Sequence, residues 1–417
     1  MFVQREWDGL KQVIMHRPDT EIDYAMLAPR AFLFERPFNK RKALEEHLKL
    51  ESVLKENGVQ VTMLRDIATE MGNTDKNFRQ SMEEKVASDI QFFGDLEDAE
   101  KEKAELKRNL PYMDSDTLFN IMILCPSIDI RIDEATHMYY PKIFSNVPLT
   151  NLYFMRDQQA VSNKGAIVGR MRLPQRKKEP EITSFILNHK LGSHNTVRVE
   201  STGYFEGGDY IPCGEFGLIG IGSRTDINGA LSAMNSGMMT HDEILVVNNP
   251  KYEFQVKDLL NNMHLDTYFN IAGDGIAIGS RMLAENAMGT VYARNGNIYE
   301  EVKDTTLFDY MKEKNFAFLD LNPIEQLCYA SNFLTISDKK VTCIDSYSVL
   351  QKLLKNNVIT PDVIRRSGVP EEELRQGMMF PNRKKMSEFG LDYIEINLEE
   401  ITGGYGGAHC MTMSLSR

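Results

Sequence analysis

Residues 39–64 read NKRKALEEHLKLESVLKENGVQVTML and contain the clearest change of element type in this 417-residue chain. Apolar residues recur at helical spacing through residues 39–57, and Gly58 closes the predicted helix. The run VQVTML at residues 59–64 then has the composition of a strand, as does LKQVIM at residues 10–15. Strand, helix and strand in succession indicate an α/β architecture.

The remainder of the chain continues this alternation. Short apolar segments between glycine-rich turns predict strands at residues 166–168, 218–221, 244–247, 266–271, 332–336, 340–344 and 392–396. Further helices are predicted at residues 250–263, 305–314 and 349–355. Residues 66–120 are dense in charge and poor in β-branched residues, which predicts a helical insertion with a solvated face. No linker is evident, so we expect one domain over residues 1–417.

Composition excludes several classes of function. The chain has 60 acidic and 48 basic residues, a net charge of -12, which argues against nucleic acid as a partner and fits an enzyme with a cationic substrate. No segment approaches the ~20 apolar residues of a membrane span. The polar start lacks the apolar run of a signal peptide. Five scattered cysteines without a CxxC pair favour a reducing compartment, so we expect a cytoplasmic protein.

The last fifteen residues, GGYGGAHCMTMSLSR at 403–417, place a cysteine directly after a glycine-rich loop. Glycine allows a backbone to approach a ligand closely, so the Cys410 thiol is a candidate nucleophile at the edge of a pocket. The alternative is a small buried hydrophobe, the usual role of a free cysteine.

Three further segments carry acidic and aromatic residues. They are NLYFMRD (151–157), EGGDY (206–210) and MHLDTYF (263–269). In a strand, His264 and Asp266 would face the same pocket, whereas the neighbours His409 and Cys410 would face opposite sides. His264 is therefore the better partner for Cys410. Taken singly, each segment also fits a surface ion pair, a hairpin or a core histidine.

Metal and cofactor sites are not expected. The chain lacks HxxxH, HxH or any paired-histidine spacing, which argues against a metal centre. GDGIAIG at residues 273–279 lacks the GxGxxG spacing of a dinucleotide loop.

In this order, the segments resemble the arginine deiminases of the guanidino-group-modifying superfamily. The similarity also includes LKQVIMHRP, FLFERP and IGIGSRT and runs from end to end. The resemblance implies a five-bladed pseudo-symmetric α/β propeller with a helical insertion. It further implies a hydrolase that converts L-arginine to L-citrulline and ammonia without cofactor or metal, and a homo-oligomer.

The resemblance also implies roles for individual residues. Cys410 matches the nucleophile that forms a covalent amidino-thioether, and His264 matches the general acid and base. Asp157 and Asp266 match the carboxylates that clamp the guanidinium, and Glu206 completes the acidic ring. Carboxylates bind a planar guanidinium through paired charge-assisted hydrogen bonds. The same ring should disfavour a free thiolate, so we hypothesise that the bound cation helps to ionise Cys410.

The substrate-binding positions are less well defined. Asn151, Phe154 and Arg224 match positions around the substrate chain and its α-carboxylate, and Arg176 or Lys177 falls near another basic position. Many arginine deiminases have an arginine where this chain has Tyr405. The tyrosine hydroxyl cannot form the paired, charge-assisted hydrogen bonds that a guanidinium makes with a carboxylate.

Four alternatives therefore stay open. The chain could hydrolyse another guanidino compound, act as a dihydrolase that continues to ornithine, or transfer the amidino group to an amine. It could also bind guanidino compounds without catalysis, although the intact thiol argues against that. A cysteine protease is disfavoured because three carboxylates suit a cation better than an oxyanion.

Overall fold

The computed structural model describes residues 1–94, 96–253 and 262–417. The strands of this part are β1 (Gln12–Met15), β2 (Gln60–Met63), β3 (Gln91–Phe93), β4 (Pro126–Ile132), β5 (Tyr139–Ser145), β6 (Gln159–Val161), β7 (Ala166–Val168), β8 (Thr196–Arg198), β9 (Tyr210–Cys213), β10 (Phe216–Ile221), β11 (Glu243–Asn248), β12 (Phe269–Gly273), β13 (Ile276–Gly279), β14 (Met288–Asn295), β15 (Ile298–Thr306), β16 (Ala317–Asp320), β17 (Leu334–Ser337), β18 (Lys340–Ile344), β19 (Asp392–Ile396) and β20 (Met413–Ser416).

Helices alternate with these strands, as the sequence predicted. Within the same ranges they are α1 (Glu21–Leu27), α2 (Lys40–Glu56), α3 (Leu64–Thr74), α4 (Lys76–Asp89), α5 (Leu96–Asn109), α6 (Ser115–Leu124), α7 (Glu179–Leu191), α8 (Ile227–Met234), α9 (Arg281–Asn286), α10 (Leu307–Glu313), α11 (Pro323–Leu327), α12 (Ser346–Lys355), α13 (Pro361–Ser367) and α14 (Arg383–Glu388). The mixed α/β class is confirmed.

One pairing pattern recurs across the sheets. In five sets the middle strand pairs antiparallel with the strand named first and parallel with the strand named third: β20-β1-β2, β6-β7-β8, β9-β10-β11, β12-β13-β16 and β17-β18-β19. In β3-β4-β5 the parallel pair comes first and the antiparallel pair second. The strands β14 and β15 extend the third set, and β3-β4-β5 forms a separate sheet. A parallel neighbour needs a crossover, and helices supply it, as α2 does between β1 and β2. The chain thus repeats one unit without repeating its sequence.

Helix α2 shows how local sequence forms one crossover. The side chain of Asn39 accepts a hydrogen bond from the backbone N–H of Lys42 and caps the helix start. Leu50 and Leu54 are fully buried on the core-facing side. Gly58 follows the helix with φ +78°, a conformation that strains any residue with a Cβ. Truncation of Leu50 to alanine should cost about 2–5 kcal/mol, since it would leave a cavity in the core.

The charge-rich region is helical, as predicted. Helices α3, α4 and α6 enclose an apolar cluster that includes Phe78, Met82 and Phe119. The charged side chains of α5 lie at the surface, where Lys101 and Glu97 form an ion pair of 3.0 Å. That residues 66–120 are an insertion within a single domain stays a prediction.

Two predicted strands begin later in the structure than expected, and one predicted helix is not tested. The strand expected at residues 266–271 begins only at Phe269, because a one-turn 3₁₀ helix, Leu265–Thr267, precedes it. The Thr267 hydroxyl donates to the carbonyl oxygen of His264 at 2.6 Å and stabilises that turn. The strand expected from residue 332 begins at Leu334. The helix expected at residues 250–263 lies mostly outside the described residues. Within the described ranges, no helix has the length and hydropathy to cross a membrane.

Candidate active site

Residues from distant parts of the chain line one small pocket. They are Leu33, Asn151, Phe154, Asp157, Arg176, Arg224, Met263, His264, Gly404, Tyr405, Gly406 and Cys410. Eight of the ten residues predicted for the site are among them. The other two, Glu206 and Asp266, lie behind the pocket in contact with His264 and Cys410 respectively. The structure therefore brings every predicted site residue together.

The carboxylates and the histidine occupy corresponding places in three sheets. One-turn 3₁₀ helices precede three of the strands. Met155–Gln158 leads directly into β6, Gly207–Asp209 leads directly into β9, and Leu265–Thr267 ends one residue before β12. Asp157 lies within the first turn, and Glu206 and His264 are the residues that cap the other two. Since each of these strands is the first of its three-stranded set, side chains at their starts can converge.

Glycines permit the close packing of this site. A Cβ added to Gly208 would lie 2.7 Å from Asp157 Oδ1 and 2.8 Å from His264 Nδ1. A Cβ on Gly406 would lie 2.9 Å from the Cys410 Cβ. The glycines of EGGDY and of the C-terminal loop therefore leave the space that the catalytic side chains occupy.

His264 lies between two carboxylates. Its Nε2 is 2.9 Å from Glu206 Oε2, and its Nδ1 is 3.5 Å from Asp157 Oδ1. Burial alone would lower the pKa of the imidazole, but Asp157, Asp209 and the Glu206 hydrogen bond raise it to about 9. Burial would raise the pKa of Glu206, yet Arg224 and His264 lower it to about 2. At neutral pH the ring is therefore a protonated acid beside an ionised carboxylate.

Asp266 connects the nucleophile to the preceding histidine. Its Oδ2 lies 2.7 Å from His409 Nδ1 and 3.4 Å from Cys410 Sγ. The expectation that His409 and Cys410 face opposite sides was wrong, because both side chains reach this one oxygen. The expectation assumed a strand, whereas residues 407–411 form a turn in which the Met411 N–H donates to the Gly407 carbonyl oxygen.

A buried ion cluster lies behind His409. Its Nε2 is 3.3 Å from Glu6 Oε1, and that oxygen also accepts a hydrogen bond from Arg417. Burial would raise the pKa of Glu6, but Arg417 and Arg156 lower it well below its ordinary value. The two ends of the described chain thus meet behind the catalytic turn.

The Cys410 thiol is only 3% exposed. Burial, followed by the carboxylates of Asp266 and Asp157, raises the pKa of this thiol well above its ordinary value. This is the direction that the acidic ring was expected to produce. At neutral pH the side chain of Cys410 is therefore a neutral thiol.

Several buried polar atoms in and behind the pocket make no hydrogen bond to the part of the chain that the structure describes. Within the described residues, Asp157 Oδ1 and Asp266 Oδ1 accept no hydrogen bond, and Nε and Nη1 of Arg224 donate none. An unsatisfied buried polar group costs about 1–3 kcal/mol, so such atoms are candidates for ligand contacts. The two carboxylate oxygens and the Arg224 guanidinium suit a molecule that has N–H donors at one end and a carboxylate at the other.

The remaining predicted binding residues already have partners. Arg176 Nη1 donates to Asp157 Oδ2 at 2.6 Å, and its Nη2 pairs with Glu179 at 2.8 Å. Asn151 Nδ2 donates to the carbonyl oxygen of Phe32 at 2.9 Å. Arg176 therefore orients Asp157, and Lys177, the alternative in that segment, is not among the lining residues.

Some pocket residues were missed by sequence reasoning. Leu33 lies in FLFERP and Met263 begins MHLDTYF, so membership of a quoted motif was the only available signal. Asn332 also touches Cys410, with Nδ2 3.0 Å from Sγ. It was assigned to a strand, and nothing in its local sequence marks it as functional.

Asp157, Glu206 and His264 lie close enough together to hold a cation when the imidazole is neutral. Each offers one ligand atom, and these atoms lie within 4.8 Å of one another. A guanidinium is also a cation, and its N–H groups suit the carboxylates. The geometry by itself therefore admits a metal ion or an organic cation.

Solved structures with a similar fold act on guanidino compounds. A variant of dimethylarginine dimethylaminohydrolase from Pseudomonas aeruginosa complexed with citrulline aligns with a TM-score of 0.52 and 14% identity, covering 97% of this chain and 99% of that one. The N-terminal domain of a cyanobacterial arginine dihydrolase bound to its substrate aligns with a TM-score of 0.54 and 11% identity, over 97% and 98%. The chain therefore shares the α/β fold of these structures.

Sequence comparison defines the family. The family model described as arginine deiminase matches residues 30–417. The chain is 24% identical to the arginine deiminase of Halobacterium salinarum, over 99% of this chain and 96% of that protein. It is 25% identical to that of Limosilactobacillus reuteri, over 100% and 97%. The chain belongs to the arginine deiminase family.

Proposed function

We propose that the protein hydrolyses L-arginine to L-citrulline and ammonia through a covalent intermediate on Cys410. The observation that carries the proposal is a pair of buried carboxylate oxygens that accept no hydrogen bond from the described residues, Asp157 Oδ1 in the wall of the pocket that contains the thiol and Asp266 Oδ1 behind that pocket. Two buried carboxylates would clamp a guanidinium through charge-assisted hydrogen bonds. The clamp would hold the guanidinium carbon next to Cys410, and such positioning lowers the barrier to attack.

Arg224 would bind the acidic end of the substrate. It is buried in the pocket, and its Nε and Nη1 have no hydrogen-bond acceptor within the described residues. A guanidinium fork pairs with a carboxylate through two parallel hydrogen bonds. An amino acid with a cationic side chain would therefore satisfy the unpartnered atoms at both ends of the pocket.

The chemistry follows from the protonation states. The Cys410 sulfur, once ionised, attacks the guanidinium carbon and forms a C–S bond. The His264 imidazolium gives its proton to the departing amino group, which leaves as ammonia and gives the amidino-thioether. Neutral His264 then takes a proton from a water molecule that attacks the same carbon, and the C–S bond breaks to give citrulline. The product lacks the charge that the carboxylates bind, which favours its release.

We propose that the repeated units form a five-bladed α/β propeller within a single domain. Five three-stranded sets share one pairing pattern, and three of them start with a one-turn helix that bears a site residue. Pseudo-symmetric blades around an axis would account for the convergence of these residues. The helices between residues 66 and 120 would then be an insertion in the ring.

We also propose that the protein is a cytoplasmic homo-oligomer that needs neither metal nor cofactor. The five cysteines are free thiols, a state that suits a reducing compartment. The catalytic steps assigned above use only side chains and water. Treatment with a chelator should therefore leave arginine turnover unchanged, and a loss restored by a divalent metal would show that the Asp157, Glu206 and His264 cluster holds an ion.

Product analysis with purified protein tests the function. Wild-type protein should release equimolar citrulline and ammonia from L-arginine, and Cys410→Ala should release neither. Cys343→Ala is the matched control, since Cys343 is buried in a separate core cluster. Turnover to ornithine with two ammonia molecules would identify a dihydrolase instead. A guanidino-amine product in the presence of an added amine would identify an amidinotransferase.

Tyr405 supports a second candidate, a hydrolase for a guanidino compound without an α-carboxylate. Its side chain lines the pocket where many family members have an arginine. Agmatine, which lacks the carboxylate, separates the two candidates. For an arginine deiminase, Arg224→Gln should raise the KM for arginine by at least tenfold and should reduce kcat/KM for agmatine by a much smaller factor. Faster turnover of agmatine than of arginine by the wild-type protein would favour the second candidate.

A further inference from the structure

We propose that Asn332 is a catalytic residue that donates a hydrogen bond to the Cys410 sulfur and sets the conformation of the turn that carries it. The proposal rests on the proposed function only for the role of Cys410 as nucleophile. The side chain of Asn332 is fully buried, and its Nδ2 lies 3.0 Å from Sγ.

The orientation of the Asn332 amide follows from its other partners. Its oxygen accepts hydrogen bonds from the backbone N–H groups of Gly407, at 2.7 Å, and of Cys410, at 3.1 Å. Two donors on that side require the carbonyl oxygen there, so the NH₂ group must face the sulfur. The same NH₂ group also donates to the backbone carbonyl oxygen of Asp266 at 3.2 Å.

The backbone of Asn332 joins the same arrangement. Its carbonyl oxygen accepts a hydrogen bond from the His409 N–H at 3.1 Å. One residue thus accepts from three of the four N–H groups of residues 407–410. The close approach depends on Gly407, because a Cβ there would lie 3.0 Å from the Asn332 carbonyl oxygen and 2.2 Å from Ile344 Cδ1.

The carboxylates around the Cys410 sulfur disfavour its thiolate, and the hydrogen bond from Asn332 opposes this effect. Asp266 and Asp157 both disfavour the thiolate and raise the pKa of Cys410, whereas the Asn332 hydrogen bond lowers it. The other charged groups that line the pocket are His264, Arg176 and Arg224. Of these, Arg176 is paired with Asp157 and His264 with Glu206. Asn332 therefore supplies a neutral donor within hydrogen-bond distance of a sulfur that faces carboxylates.

Asn332→Asp separates the two roles of the residue. The variant is isosteric and keeps an oxygen to accept from Gly407 and Cys410, but it replaces the NH₂ donor by a second oxygen that faces the sulfur. Asn332→Ala removes the donor and the turn tether together. If the residue only holds the turn, Asn332→Ala should be a weaker enzyme whose thiol pKa matches that of wild type, because no hydrogen bond to the sulfur would have been lost.

The readout is the pH profile of Cys410 alkylation by iodoacetamide, followed by mass spectrometry of the Cys410 peptide. The thiol pKa should rise from wild type to Asn332→Ala and again to Asn332→Asp. Loss of one donor to a developing anion lowers rate constants by on the order of 10²–10³-fold, so we expect kcat/KM to fall by that factor in Asn332→Asp. Melting temperatures should follow a different order and fall from wild type to Asn332→Asp and again to Asn332→Ala, since only the alanine variant loses the acceptor that holds the turn.

Alkylation profiles that coincide with the wild-type profile in both variants would overturn the proposal. If the aspartate variant does not fold, an unchanged profile in Asn332→Ala alone has the same meaning. The alkylation test needs no arginine turnover. A wild-type protein that fails to convert arginine would therefore refute the proposed function and leave the test of Asn332 intact.

Discussion

Two histidines in this protein are equally buried and have opposite properties. His264 in the active site is 1% exposed, and His47 on helix α2 is 0% exposed. Carboxylates surround His264 and raise its pKa to about 9. Burial dominates at His47 and lowers its pKa to about 3, although Glu51 and the backbone of His16 act in the opposite direction. Burial alone thus lowers the pKa of an imidazole, and the carboxylates placed against His264 reverse that shift.

The largest expected effect contrasts the two rings directly. His264→Gln should lower kcat for arginine by on the order of 10²–10⁴-fold, because the departing ammonia loses its proton donor. His47→Gln should leave kcat within about twofold and reduce the free energy of unfolding by about 1–3 kcal/mol, since it buries an unpaired amide. Steady-state kinetics and urea unfolding of both variants measure the contrast. Equal kcat losses in the two variants would contradict it.

Removal of one carboxylate should reduce the difference between the pKa values of the two imidazole rings. Asp157→Asn deletes a charge that favours the His264 imidazolium, so the pKa of His264 should fall by about 1–2 units. The pKa of His47 should not change. The titration is followed by NMR of the imidazole protons in a Cys410→Ala background, where no turnover occurs. The surface variant Asp242→Asn, in the same background, is the control and should shift neither ring.

A bound cation should reverse the effect of the acidic ring on the thiol. Methylguanidine would neutralise the carboxylates next to Cys410, so the apparent pKa of the thiol should fall by about 1–2 units. Methylurea has a similar shape without the charge and should produce no shift. Thiolate absorbance in the ultraviolet, corrected with Cys410→Ala, measures the pKa. A pKa that does not respond to methylguanidine would refute substrate-assisted ionisation.

The smallest expected effect concerns the pH dependence of stability. The pKa of His47 is depressed in the folded state, so the unfolded state binds more protons below pH ~6.5. The stability that this group contributes is present above that pH and is lost as the pH falls towards the folded value. Between about pH 7.5 and about pH 5.5 the loss should be about 1.4 kcal/mol. Urea titrations of wild type and His47→Leu should differ by this amount, and parallel curves would show that His47 is not the source.

Local sequence was sufficient for elements whose signals lie within the element itself. Helix α2 was predicted at residues 39–57 and runs over Lys40–Glu56, because its cap, its apolar face and its closing glycine are adjacent in sequence. Strand β18 was predicted with its observed limits, Lys340–Ile344, because alternation of apolar residues over a short segment is typical of a strand. The resemblance supplied the ten site residues, and all of them meet at one pocket.

The errors concern groups whose partners are distant in sequence. His264 and Asp266 were assigned to a strand face, but they belong to a one-turn helix that is stabilised by a hydrogen bond from the Leu265 N–H to Asp209. Asn332 gave no signal, since its partners at residues 407–410 lie more than 70 residues away. Glu6 likewise acts on His409 only through the folded chain. Single-sequence patterns record neighbours along the chain and miss such contacts.

The central claim, that Cys410 attacks the guanidinium carbon and holds the amidino group, is tested most directly by rapid acid quenching of a single turnover. Wild-type protein is mixed with substoichiometric L-arginine, quenched with acid at successive times and digested. The mass of the Cys410 peptide is then measured by mass spectrometry. The account predicts a transient adduct on Cys410 with the mass of arginine less ammonia, which decays as citrulline forms. Citrulline formation at the full rate with the Cys410 peptide unmodified at every time point would contradict the account.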